Sequence, residues 1–206
     1  MLRLVRTTDL YDPGIRTIAA LVRPSETGFQ KLAVRVSAMA KSRKLPVPDL
    51  PQDGQESVWD YPRPPAVDES RLWVEVSLQG VSIARTQKSL RVLETSHPPT
   101  FYIPPADIDT QFFSQNEATS FCEWKGVASY WDVTVDETII KRGSWTYLNP
   151  AASFDKLRGY YSFYPSLFEC SVDGRVVEPQ PGAFYGGWVT GDVAGPFKGI
   201  PGSEWW

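Results

Sequence analysis

Cysteine and histidine are nearly missing from this chain, which holds two of the first and one of the second in 206 residues. Cys122 and Cys170 stand alone, so a four-cysteine zinc site is excluded, as is a disulfide-dense scaffold. No metal site is expected, and the two thiols are either free and buried or paired with each other. No uncharged apolar run approaches the roughly 18 residues of a membrane helix. A soluble protein with no membrane partner is expected. The phosphate-binding patterns G-x-x-x-x-G-K-[ST] and G-x-G-x-x-G are absent, and so is the G-x-S-x-G elbow of serine hydrolases. Basic charge is not in excess either. Lys and Arg number 21 against 24 Asp and Glu, a net of −3, which gives no general attraction to nucleic acid.

What is present is enough for one sizeable core: 42% of residues are hydrophobic and 13% aromatic. A boundary divides the chain. Residues 1–45 carry nine basic and three acidic residues, a net of +6, whereas the remainder carries 12 and 21, a net of −9. All eight Trp lie at or beyond Trp59, and residues 1–56 hold only Tyr11 and Phe29 among the aromatics. The join, KLPVPDLPQDGQES (Lys44–Ser57), has the Pro, Asp and Gly content of an extended linker. We therefore expect a loosely ordered basic leader and linker over 1–56 and a folded domain over 57–206. The leader's charge is compatible with organelle targeting, against which Asp9 and Asp12 count, and cytoplasm is the expected location.

Within the domain the hydrophobic period is two. Leu72, Val74, Val76 and Leu78 alternate with Trp73, Glu75 and Ser77, and Gln79-Gly80 supplies a tight turn into Val81–Thr86, which predicts a hairpin. Further extended runs are expected at Leu90–Glu94, Ser120–Trp124, Ala128–Val135, Thr138–Lys141, Ser144–Tyr147, Tyr160–Phe163, Leu167–Val172 and Arg175–Val177. Helix is scarce. A short turn is expected at Pro105–Asp109, and a second over Pro150–Leu157 with Asn149 as cap and Gly159 as terminator. The fold class read from this pattern is all-β, an antiparallel sandwich or barrel. The Gly- and Pro-rich segment Pro179–Trp206 carries six aromatic rings and is expected to wrap the sheets rather than hang free.

Five stretches, WDYPRPP (Trp59–Pro65), RVLETSHPPTFYIPP (Arg91–Pro105), CEWKGVASYWDV (Cys122–Val133), GYYSFYP (Gly159–Pro165) and PQPGAFYGGWVTGDVAGPFKG (Pro179–Gly199), together resemble the DUF427 family. The resemblance covers nearly the whole domain and none of the leader. It implies a compact all-β fold of the Mss4-like, or β-tent, type. Some members carry a nucleotidyltransferase label, which this sequence does not support: Asp107 and Asp109 have the spacing of a metal-binding acid pair, but no Gly-Ser turn precedes them.

His97 is the one side chain with an ordinary pKa near neutrality, and Pro98 and Pro99 stiffen the backbone that carries it. It is the candidate proton carrier, with Glu94 three residues upstream as its carboxylate partner; a packed histidine tying down a loop is the alternative. Tyr102, Tyr130, Trp145 and Tyr147 are candidate ligand-binding aromatics, although most such rings serve as core in an all-β domain. Lys125 is a candidate cation for an anionic ligand, or else a surface lysine beside the turn at Gly126. Strand alternation separates Cys122, Trp124 and Gly126 from Glu123, Lys125 and Val127, so one site is not expected to use both Cys122 and Lys125 unless a bulge intervenes. The expected function is binding of a small-molecule ligand, or acid–base catalysis without an organic cofactor. The rival is a non-enzymatic interaction module that uses the aromatic C-terminal segment and the basic leader.

Overall fold

The computed structural model describes residues 45–206 apart from Ala183, and the leader lies outside the described residues. Fifteen strands follow in order: β1 Glu56–Ser57, β2 Ala66–Glu69, β3 Val74–Leu78, β4 Val81–Thr86, β5 Leu90–Leu93, β6 Thr100–Tyr102, β7 Phe113–Cys122, β8 Gly126–Val135, β9 Thr138–Thr146, β10 Tyr161–Phe163, β11 Glu169–Val172, β12 Arg175–Val176, β13 Glu178–Pro179, β14 Trp188–Val189 and β15 Val193–Ala194. They form antiparallel sheets in the orders β10-β9-β8-β7, β12-β11-β3-β4 and β2-β5-β6, with two-stranded β13-β14 and a parallel pair β1-β15. The domain is all-β and none of its sheets closes into a barrel. Among the described residues helix is limited to 3-10 segments at Pro105–Asp107, Thr110–Phe112 and Ala152–Leu157, and none of these is long and apolar enough to cross a membrane.

Alternation does what the sequence pattern requires in β3, where Val74, Val76 and Leu78 are buried and Glu75 and Ser77 are half-exposed. Gln79 and Gly80 both have positive φ, 53° and 75°, the pair needed by a two-residue hairpin turn whose twist matches its strands; Asp173 and Gly174 repeat it. Leu72 and Trp73 fall outside β3, and Trp73 stacks under the Arg85 guanidinium at 4.4 Å. The runs expected separately at Thr138–Lys141 and Ser144–Tyr147 are one strand, β9, carried through Arg142 in the left-handed region at φ 53°. The segment after Pro150 is not capped by Asn149. Its 3-10 turns start after Ala151 with no side-chain cap, while the Asn149 side-chain oxygen accepts from the Arg158 guanidinium at 3.1 Å.

The long hairpin β7–β8–β9 serves two cores because β8 carries a bulge between Trp131 and Val133. Before it, Ala128 and Tyr130 face a cluster with Leu90, Val92, Tyr102, Trp145, Tyr147 and Leu157; after it, Val133 and Val135 join the larger core of Val74, Val76, Ile83, Phe163 and Trp188. One extra residue switches which parity points inward. Asp132 sits at the switch, buried, and its carboxylate accepts from Asn116 Nδ2 at 2.7 Å, the Arg142 backbone N–H at 2.8 Å and Lys141 Nζ at 2.7 Å. Burial opposes its charge, but these donors prevail and hold its pKa below the usual aspartate value. Asp132→Ala should cost on the order of 2 kcal/mol, since three part-buried, charge-assisted hydrogen bonds are lost. A carboxylate with a depressed folded pKa contributes stability above its unfolded pKa of about 4, lost as pH falls through the folded value. Wild type should therefore lose part of its advantage over the variant in urea melts run below pH 4, and a constant difference from pH 7 to pH 2 would refute the assignment.

The C-terminal segment wraps. Trp188 is fully buried in the larger core, and Trp59 and Trp206 meet edge to face at 5.4 Å. Residues 49–57 run beside this segment: the Asp49 N–H donates to the Gly195 carbonyl, the Glu56 N–H to Asp192, and β1 pairs with β15.

Candidate functional site

A cleft of about 1130 Å³ opens where the β5–β6 connection, the β7–β8 turn, the inner end of β9 and the C-terminal segment come together. All seven candidate residues from the sequence line it: Glu94, His97, Tyr102, Lys125, Tyr130, Trp145 and Tyr147. They arrive from distant parts of the chain, and the fold explains how each is placed.

His97 closes a four-residue turn in which its N–H donates to the Glu94 carbonyl at 3.0 Å, with Ser96 at φ 68°. A positive φ at the third position normally selects Gly or Asn. Here the turn is fastened from both sides, the Ser96 N–H donating to Val58 and the Lys198 N–H to the Ser96 carbonyl at 2.8 Å. The imidazole Nδ1 lies 3.1 Å from the Thr95 carbonyl, which only accepts, so Nδ1 carries the proton and Nε2 keeps its lone pair. Burial lowers the His97 pKa below its ordinary value, partly opposed by the Glu94 charge and the Thr95 bond. The Tyr185 ring stands edge-on to the imidazole at 5.0 Å. Thr95, not Glu94, thus orients the ring. The Glu94 carboxylate pairs instead with the Arg63 guanidinium at 3.5 Å.

The aromatic floor is built by pairing. Tyr130 and Trp145 are opposite each other on β8 and β9, the Trp145 indole N–H donates to the Tyr102 hydroxyl at 3.3 Å, and the Tyr130 hydroxyl is 2.9 Å from Ser120 Oγ. Burial pushes the phenols of Tyr102 and Tyr147 above the ordinary tyrosine value, so both are neutral, hydrogen-bonding hydroxyls at physiological pH. Tyr164, unforeseen from the sequence, packs against Trp145 with centroids 4.4 Å apart and ring planes tilted by 45°.

Lys125 is half-buried, its Nζ 6.0 Å from the Tyr147 ring centroid. Burial works against its charge, but Tyr102, Cys122 and Glu94 outweigh that and raise its pKa, so it is a cation at neutral pH. Cys122 lines the same cleft, contrary to the expected separation of Cys122 from Lys125. The reason is local: β7 ends at Cys122 and β8 starts at Gly126, so residues 123–125 form the turn and strand alternation does not extend through them. Both cysteines are free; Cys170 lies in the larger core, where burial raises its pKa.

The outer wall comes from the C-terminal segment. Tyr185, Gly186 and Lys198 line the cleft, and a Cβ at Gly186 would run into the Trp145 ring while one at Gly187 would meet Gln180 and Pro98. That is why two glycines precede Trp188. The buried Gln180 holds the wall, accepting from the Gly187 N–H at 3.2 Å and donating to the Lys198 carbonyl at 2.8 Å. Lys198 Nζ donates to the main-chain oxygen of Trp206 at 2.6 Å, and burial and the Arg63 charge depress its pKa. Among the described residues no group of three His, Cys, Asp or Glu converges as a metal site.

Residues 66–178 match the family model described as a domain of unknown function, DUF427. The chain belongs to the DUF427 family. The match contains all seven candidate residues of this DUF427 domain but stops short of the Tyr185–Lys198 wall. No curated protein matches the chain.

Proposed function

We propose that the cleft is the working site of a small-molecule-binding domain able to carry out acid–base chemistry without an organic cofactor. One observation carries the reading: the single histidine of the chain, fixed in one tautomer with Nε2 as its lone-pair nitrogen, lines the same cleft as the half-buried Lys125 cation and the hydroxyls of Tyr102, Tyr130 and Tyr147. A neutral imidazole accepts a proton, while Lys125 and the Tyr102 and Tyr147 hydroxyls stabilise negative charge that develops on a bound molecule. Glu94, paired to Arg63, contributes to the potential around His97.

The test is a ligand-induced thermal-shift screen. A compound that occupies the cleft at a hundred times its Kd should add about 2.7 kcal/mol to the stability. Its contact should then appear as chemical-shift changes at His97 and Lys125. A ligand that binds elsewhere, with no change at those two residues, would refute the reading.

The second reading, an interaction module, is favoured by the mouth of the cleft, where Phe121 and Phe184 are 75% and 78% exposed. Its other element, the basic leader, lies outside the described residues. Phe121→Ser with Phe184→Ser separates the two readings, since it should abolish capture of a protein partner and spare small-molecule binding. The Mss4-like arrangement implied by the family resemblance is likewise a proposal, supported by the main-chain bonds that join Ile103 after β6 to Tyr161 of β10.

A further inference from the structure

The acidic domain gathers its positive charge around the cleft. Of the 12 Lys and Arg among residues 46–206, five line the cleft, namely Arg63, Lys125, Lys141, Arg142 and Lys198, whereas of the 21 Asp and Glu only Glu94 and Glu123 do. The cleft carries net +3 in a body of net −9.

The cations are not equally engaged. Arg63 is paired with Glu94, Lys141 with Asp132 at 2.7 Å, and Lys198 bonds the Trp206 oxygen. Arg142 is exposed at the rim. Lys125 differs from all of these: it is set into the cleft and among the described residues makes no ion pair. Its surroundings favour the charge without a direct ion pair, so the ammonium keeps donors for a bound anion. The neighbouring polar groups also lack acceptors. The Tyr102 hydroxyl already accepts from Trp145, which leaves its own proton to donate, and the buried Trp124 indole N–H, on the same cleft, has no partner among the described residues. A site with spare donors and a spare cation suits a ligand that supplies only acceptors. Around this charge the walls are aromatic rings, Trp145 against Tyr164 and His97 against Tyr185.

We propose that the cleft binds an organic anion, a carboxylate or phosphate monoester on a planar apolar body, with the anionic group on Lys125 and the body between the aromatic walls. The assignment rests on the reading of the cleft as a ligand site and adds the class of ligand. Discrimination against neutral molecules comes from Lys125, because an unoccupied ammonium gains nothing from an alcohol that it does not already gain from water.

The experiment is calorimetric titration of the full chain with phenyl phosphate, benzoate and benzyl alcohol, repeated on Lys125→Met and Lys125→Arg. At least one of the two anions should bind more tightly than benzyl alcohol by roughly tenfold or more, the size of a charge-assisted hydrogen bond. Lys125→Met should weaken that anion roughly tenfold to a hundredfold and leave benzyl alcohol unchanged, with partial recovery in Lys125→Arg. Phenyl phosphate alone, or benzoate alone, identifies which oxyanion the site takes. Equal affinity for all three probes overturns the anion assignment while the cleft survives as a ligand site. Binding of none overturns both. Should Lys125→Met not fold, as checked by circular dichroism, the wild-type comparison decides the matter.

Discussion

Trp188→Ala should unfold at markedly lower urea concentration than wild type, with a loss of about 3–5 kcal/mol, the range for truncating a fully buried aromatic residue. The residue is 0% exposed, its ring lies 5.2 Å from that of Phe101, and its indole N–H donates to the Phe163 carbonyl at 3.1 Å. Its own N–H donates to Pro99, two residues from His97. The truncation therefore leaves a cavity, orphans a buried carbonyl and frees the strand that holds the outer wall of the cleft. Trp188→Phe keeps most of the ring but loses the indole bond, so it should lie between the two, about 1–2 kcal/mol below wild type. Both variants should weaken any cleft ligand beyond their effect on global stability, because Tyr185 and Gly186 are three and two residues away on the same segment. A shift in midpoint worth less than about 1 kcal/mol for Trp188→Ala would show that the segment is not part of the core.

The all-β class was legible because β3 alternates cleanly, and because Gln79-Gly80 and Asp173-Gly174 have the chemistry of two-residue turns. Very short strands were not. β1, β13, β14 and β15 have two residues each, too few for a period, and they exist because long-range main-chain bonds hold the C-terminal segment in place. The bulge at Asp132 was equally hidden: its consequence, a change of inward parity within β8, depends on Asn116 and Lys141, which are far apart in sequence.

For the site, residue chemistry was informative and mutual position was not. A lone histidine stiffened by two prolines marks itself, and so does a run rich in Tyr and Trp. That Thr95 rather than Glu94 holds the imidazole follows from the turn closed at Ser96, an unusual residue at positive φ that no local pattern announces. The union of Cys122 and Lys125 in one cleft depends on where β7 stops. Tyr185 and Lys198 were missed because they reach His97 only after some 90 residues of intervening chain, and the signal that was available, the paired glycines before Trp188, reports close packing without naming the neighbour.

His97→Asn is the decisive substitution for the proposed chemistry. The one protein bond of the imidazole among the described residues is to the Thr95 carbonyl, and the Asn side-chain amide keeps a donor for it. The variant should therefore fold, with stability within about 1 kcal/mol of wild type. What it lacks is a group that takes up a proton near neutral pH, so turnover of a cleft ligand should fall by about 10²–10⁴ while Kd changes little. The pH dependence supplies a second readout. Burial lowers the His97 pKa below 6.5, so the neutral base is already present at pH 7, and kcat/KM should rise through the lowered value and stay flat above it. Since this is the only histidine of the chain, its imidazole resonances can be titrated by NMR without ambiguity, and they should move with a midpoint below 6.5. The same shift acts on stability. A histidine whose folded pKa lies below its unfolded one contributes stability above the unfolded pKa and loses it as pH falls through the folded value. Wild type should accordingly lose stability relative to His97→Asn on acidification below pH 6.5. If His97 is instead a packing residue, the variant should lose roughly 1–3 kcal/mol at pH 7 and the folded remainder should turn over and bind as wild type does. Unchanged turnover in a folded His97→Asn would remove the imidazole from the chemistry and leave the cleft as a binding site alone.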